Sequence, residues 1–164
     1  MAEKLRADLV LEYPFTRTTG PVIGAFLTGL REGIVLGIRR PDGTVLCPPT
    51  EYDPCTSEPL TELVEVGPEG ELVSWTWVSP PRPQSPWDGP HGLGLIRLDG
   101  ADTTMVHGVL VDDPADMVVG MRVVARWRAN RQGHITDLEG FVPSGSPGQD
   151  LEGFVPSGSP GQDS

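Results

Sequence analysis

From Leu60 to Pro143 the chain is cut by glycine and proline into short runs that alternate apolar and polar residues. Such runs make strands, because successive side chains of an extended chain point to opposite faces. LTELVEVG is a candidate strand, and ELVSWTWVS places Val73, Trp75 and Trp77 on one face. GLGLIRLDG, TTMVHGVLVD, MRVVARWRAN and GHITDLEGFVP supply the others, and DDPADMVVGM reads as a turn or a single helical turn. SPPRPQSPWDGPH holds Pro80, Pro81, Pro83, Pro86 and Pro90 and must be a loop, since proline cannot donate inside a sheet. Five or six strands in about eighty residues, joined by short turns, predict a small barrel or sandwich. Closure is favoured, because a closed sheet has no exposed edges.

The segment before Leu60 is different. TTGPVIGAFLTGLREG predicts a short helix, with Thr18 or Thr19 as N-cap, Pro21 in the first turn and Gly33 as the stop. Ile23, Phe26, Leu27 and Leu30 recur at helical spacing and form an apolar stripe. That stripe either covers the core or docks on a partner subunit. IVLGIRRPDGTVLCPP then reads as a hairpin turning at Pro41-Asp42-Gly43, followed by a turn-rich stretch, TEYDPCTSEP.

The charge balance limits function. Twelve basic against 23 acidic residues leave a net charge of −11. A chain this acidic repels a phosphate backbone unless its arginines cluster strongly. They cluster only mildly, at Arg39-Arg40 and at Arg126, Arg128 and Arg131. The 21 glycines and 18 prolines also argue against a helical bundle. No apolar run is long enough to span a membrane, and MAEKLRADLVLEYPF lacks the apolar stretch of a secretory signal. With only Cys47 and Cys55, a disulfide framework is not expected, and the cytoplasm is the expected location.

The ordered set GELVSWTWV, GLIRLDG, VLVDDPADMVVGMRVVARW and a final GFVP, after a hairpin with a Pro-Pro pair, resembles the acyl-CoA-associated OB-fold family. These are zinc-ribbon plus OB-fold accessory proteins of thiolases and thiolase-like aldolases. The likeness covers roughly residues 20–143; its most specific parts are Gly70–Thr76 and the run from Asp113 to Val123. The resemblance implies a mainly β chain: a five-stranded OB-fold barrel preceded by a short N-terminal helix and a zinc-ribbon-like hairpin pair. On that basis we divide the chain into an N-terminal arm (1–18), helix plus ribbon hairpins (19–58), OB-fold barrel (59–143) and flexible tail (144–164). The family's ribbon carries two C-x-x-C pairs, whose positions fall here at about Arg39, Asp42, Asp53 and Thr56. Cys47 and Cys55 lie off them, and two cysteines cannot complete a tetrahedral site. We therefore expect a degenerate, metal-free ribbon, with no zinc and with Asp42 and Arg39 forming a surface ion pair in its place.

No catalytic set assembles in the sequence. His91, His107 and His134 lack a paired nucleophile or orienting acid at recognisable spacing. The resemblance implies a non-catalytic accessory subunit. It would bind a thiolase or retro-aldolase and support acyl-CoA, a ligand shared with the complex, in lipid or sterol side-chain degradation. Phe26, Leu30 and Trp87 are the partner-interface candidates; Trp87, beside prolines, either anchors a partner or packs over the barrel mouth. Trp75, Trp77, His107, Arg126 and Arg128 are the ligand-contact candidates. The tryptophans either fill the barrel or stack a ligand, and the arginines either meet CoA phosphates or an acidic surface, or form a solvated face. The alternatives are an OB-fold single-stranded nucleic-acid-binding protein, which rests on fold class and aromatic strand alone, and an independent acyl-CoA hydrolase. Neither nucleic acid nor membrane is an expected partner.

The last feature is a repeat. Asp137–Gln149 is followed at once by an identical Asp150–Gln162. The first copy opens with the natural last barrel strand. The second has no vacant strand to fill and reads as a tandem duplication behind a Ser/Gly/Pro linker; the alternative is that Leu151, Phe154 and Val155 dock on a partner or a sheet edge.

Overall fold

A computed structural model describes residues 18–145 apart from 82 and 84. The N-terminal arm and the second tail copy lie outside these. Helix α1 (Pro21–Glu32) begins as expected at Pro21. Its N-cap, however, is Gly20 and not Thr18 or Thr19, and no side chain of the N-cap residue caps it. The free N–H groups of the first turn instead reach across the fold. Val22 and Ile23 both donate to Glu51 Oε1 at 3.1 Å. A carboxylate there also suits the positive end of the helix dipole. Gly33, with φ +80°, ends the helix in the left-handed conformation that glycine adopts freely.

The buried face of α1 is Val22, Phe26, Gly29 and Leu30, while Ile23 and Leu27 are half-buried. The stripe is thus rotated from the expected one. Gly29 is the cause: a Cβ there would come within 3.0 Å of Ile34 O and 3.3 Å of Leu36 Cγ, so the helix sits closest to the sheet at this residue.

Strands β1 (Val35–Arg39), β2 (Val45–Leu46) and β3 (Glu62–Val66) form an antiparallel sheet in the order β2-β1-β3. β3 was expected in the barrel. It pairs instead along its whole length with β1, from Val35 opposite Val66 to Arg39 opposite Glu62. Gly67-Pro68 then breaks the chain away, with Gly67 N–H donating to Asp99 O and Pro68 O accepting from Ala125 N–H.

The closed barrel consists of β4 (Glu69–Val78), β5 (His91–Leu98), β6 (Met105–Val109), β7 (Arg122–Trp127) and β8 (Leu138–Pro143), in the order β4-β5-β6-β8-β7. All neighbours are antiparallel except β6 and β8, which are parallel and meet only at Val109 and Phe141. The register of β4 against β5 slips between Leu72 and Ser74. This bulge at Val73 resets the alternation, so that buried Leu72 is followed inward by Trp75 and Trp77 while Ser74 and Thr76 face out. The tryptophans stand opposite Gly94 and Gly92, where the space of the missing side chains is taken by Leu72 and Val109 at Gly94 and by Met117 at Gly92. One core runs from the helix through β1 into the barrel, joining Phe26, Leu30 and Val35 to Leu72, Ile96, Val109 and Phe141.

Candidate functional site

The candidate residues fall in four places. Phe26 and Leu30, expected at a partner interface, are buried inside the chain as part of the core. That face of the helix is already covered by this protein's own sheet and barrel, so it is not a surface on which a partner can dock.

The second place is the weak seam between β6 and β8. Here Trp87 folds back onto the barrel. Its ring lies over Gly108, where any Cβ would run into the indole. Its Nε1–H donates to Glu139 O at 3.2 Å, stitching the proline-rich loop to β8. The ring sits 4.8 Å from His91 and 5.9 Å, edge-on, from His107, which in turn stands edge-on to Phe141 at 5.8 Å. Trp87 therefore packs over the barrel and keeps only part of its surface exposed. His91 is buried and donates from Nδ1 to Gly89 O at 2.8 Å. His134 accepts from Thr136 N–H in a local capping box.

His107 is 8% exposed, and its Nδ1 has no partner among the described residues. Burial pushes its pKa down, against a smaller upward pull from the backbones of Gly108 and Ile135. Folding therefore favours the neutral ring. The unfolded chain takes up a proton near the ordinary value of 6.5 that the folded chain refuses. Stability is thus held above that pH and falls below it. Urea unfolding at pH 7.5 and 5.5 should show a drop for the wild type that His107→Phe reduces; parallel losses in both chains would show that His107 is not the cause.

The third place is an open cleft of about 400 Å³ between the 86–91 loop, residues 110–112 and the outer face of β7 and β8. Trp87, Arg126 and Arg128 line it together, which the sequence could not show. Arg126 Nε donates to Glu139 Oε2 at 2.9 Å, whereas the Arg128 guanidinium has no carboxylate partner among the described residues. Asp88, Asp112 and Glu139 outnumber the two arginines around the cleft, so it is not an anion funnel. In the fourth place, Trp75 and Trp77 are partly buried against the core and do not line the cleft. The five ligand-contact candidates are therefore not one constellation.

At the ribbon hairpins the charges are arranged differently from expectation. Arg40, not Arg39, takes the central position. Its guanidinium donates to Asp53 at 2.8 and 3.3 Å and to Asp42 at 2.7 Å. Asp53 is buried and also accepts from Cys55 and Thr56 N–H groups. These contacts, the Arg40 hydrogen bond foremost, hold its pKa down at about 2. Arg39 pairs with Glu62 of β3 instead. The donors here are two carboxylates already bound to a guanidinium, so the residues do not fit a zinc ion. Cys47 is buried elsewhere, with its thiol pushed up to about 12 by desolvation, and is inert at neutral pH.

Exposed apolar side chains were not singled out from the sequence. Leu95 and Val106 face each other across β5 and β6 on the outer wall of the barrel, and Val106 is 65% exposed. Val118 and Val119 stand at a turn pinned to the β4 bulge: Gly120 N–H donates to Leu72 O, and Leu72 N–H to Met121 O. The outward phase of β5 and β6 was the available signal, since it puts apolar residues where a solvated wall needs none.

A closed five-stranded barrel with one parallel pair, fed by a helix and a small sheet, defines the chain as an OB-fold protein with an N-terminal helix–sheet unit. Residues 63–128 match the family model described as the ChsH2 C-terminal OB-fold domain. This match supports the resemblance to the acyl-CoA-associated OB-fold family. Among solved structures, a chain of the Ltp2-ChsH2(DUF35) aldolase is similar at 20% identity and a TM-score of 0.56, covering 77% of this chain and 98% of that one. A DUF35-family protein of unknown function from Sulfolobus solfataricus is similar at 19% identity and a TM-score of 0.53, covering 65% and 78%. Comparison with the curated proteins finds no match. Among the described residues no helix is long and apolar enough to cross a membrane.

Proposed function

We propose that this protein is a non-catalytic accessory subunit that docks on a thiolase-like enzyme, a thiolase or retro-aldolase, and supports its handling of acyl-CoA in lipid or sterol side-chain breakdown. The observation that carries this reading is the extent of the structural likeness: helix, small sheet and barrel together span 98% of a chain from the Ltp2-ChsH2 aldolase. The fate of the histidines supports it. His91, His107 and His134 serve packing and capping, and the Thr136 hydroxyl, 2.9 Å from His134 Nδ1, belongs to that local cap. The exposed pairs Leu95–Val106 and Val118–Val119 offer apolar contact on rigid backbone, where a partner gains most from burial.

Co-expression of the full chain with a thiolase-like enzyme encoded beside it tests the proposal. The two should co-elute on size exclusion, and Val106→Asp or Val119→Asp should weaken the complex while leaving the isolated chain folded. A chain that stays a monomer and changes neither the stability nor the activity of the enzyme overturns it.

A further inference from the structure

The closing strand of the barrel exists twice in this sequence. β8 and its flanks run from Asp137 to Ser144, and Asp150 to Ser157 repeat them residue for residue. We propose that the β8 slot is a binding site for the chain's own second copy, so that in a fraction of molecules Leu151–Pro156 closes the barrel in place of Leu138–Pro143.

The contacts at the slot carry the argument, because the second copy holds the same residue for each of them. Phe141 and Leu138 are fully buried in the core, and Phe154 and Leu151 are their equivalents. Glu139 takes the Arg126 ion pair and the Trp87 indole N–H, and the second copy has Glu152 at the same position of the repeat. Gly140 lies against Leu110 where no Cβ fits, and Gly153 meets that demand. Even the anchor is repeated. The Asp137 carboxylate accepts the N–H groups of Gln132, Gly133 and His134, and Asp150 precedes Leu151 in sequence as Asp137 precedes Leu138.

What exchange gives up is small and local. Ile135 and Thr136 join His134 to Asp137, and they would be replaced by residues 135–149, so a two-residue link becomes fifteen residues. Ile135 has an exposed side chain and gives up its backbone contact with His107, and Thr136 gives up its contacts with His134. Loop-closure entropy scales as the three-halves power of length, which sets exchange back about 20-fold. The first copy therefore dominates, and the second is a spare that takes over when the first is damaged.

A double-mutant cycle in the full chain tests this through the folding equilibrium constant. Phe→Ala at a fully buried site ordinarily costs at least about 100-fold. With a spare strand, Phe141→Ala should cost only about 20-fold, since the loss is capped by exchange. Phe154→Ala alone should stay within about twofold of the wild type, and the double variant should show the full loss of at least about 100-fold. Leu138→Ala with Leu151→Ala should repeat the pattern. Phe141→Ala should also elute as a monomer at all concentrations. A Phe141→Ala chain as destabilised as the double variant overturns the proposal, and so does rescue that appears only in concentration-dependent dimers.

Discussion

Leu30→Ala is expected to destabilise the isolated chain by about 3 kcal/mol, as buried Leu→Ala changes commonly do. Leu30 has no exposed surface and shares its cluster with Phe26, Val35 and the barrel residues. Removing three carbons there loses their transfer free energy and leaves a cavity between elements that cannot easily collapse. α1 is held at one end by Glu51 and at the other by Arg131, whose Nε donates to Arg31 O at 2.9 Å. Urea unfolding of the free chain reads the effect directly. The same experiment separates two roles for the apolar stripe. A docking residue would leave the free chain unchanged and weaken only the complex, so a shift below about 0.5 kcal/mol, typical of surface sites, would return Leu30 to the interface.

The strands of the barrel were legible because their signal is local. Alternation, glycine and proline mark β4 to β8 within each run, and the observed elements follow them. What the runs could not carry was pairing. The sequence LTELVEVG reads equally as a barrel strand or as the third strand of a hairpin sheet, and only Gly67-Pro68 decides between them. The Val73 bulge is also invisible in the run itself. Val73, Trp75 and Trp77 alternate regularly, yet the register slip turns the tryptophans inward after Leu72. The ribbon ion pair was assigned to the wrong arginine for a similar reason. Arg39 and Arg40 point to opposite sides of the hairpin, and which one meets Asp53 depends on a turn thirteen residues away. The site suffered most from this limit. Trp87 and Arg126 meet through Glu139, fifty-two and thirteen residues distant, and no spacing in the chain announces that contact.

Gly70→Ala should cost about 3 kcal/mol, at the upper end of what overpacking does to a core. Gly70, like Glu71 after it, is held from both sides, opposite Leu98 of β5 and Val123 of β7. A Cβ there would stand 2.6 Å from Arg97 O, 3.0 Å from Leu98 Cα and 3.1 Å from Arg97 C. All three are backbone atoms, so no rotamer change relieves the clash. Relief requires β4 and β5 to separate, which stretches the ladder that joins them and opens the barrel beside the start of β4. Gly94→Ala is the control. Its Cβ would meet Leu72 Cδ1 at 2.5 Å and Val109 Cγ2 at 2.9 Å, and both are side-chain atoms, which a rotamer change can move where it cannot move backbone. The two changes add the same methyl group to the same barrel, and Gly70→Ala should melt at a distinctly lower temperature than Gly94→Ala. The reverse order would mean that side-chain crowding, and not strand separation, limits this barrel. In that event the buried side chains of Leu72 and Val109 around Gly94 would be the tightest part of the fold.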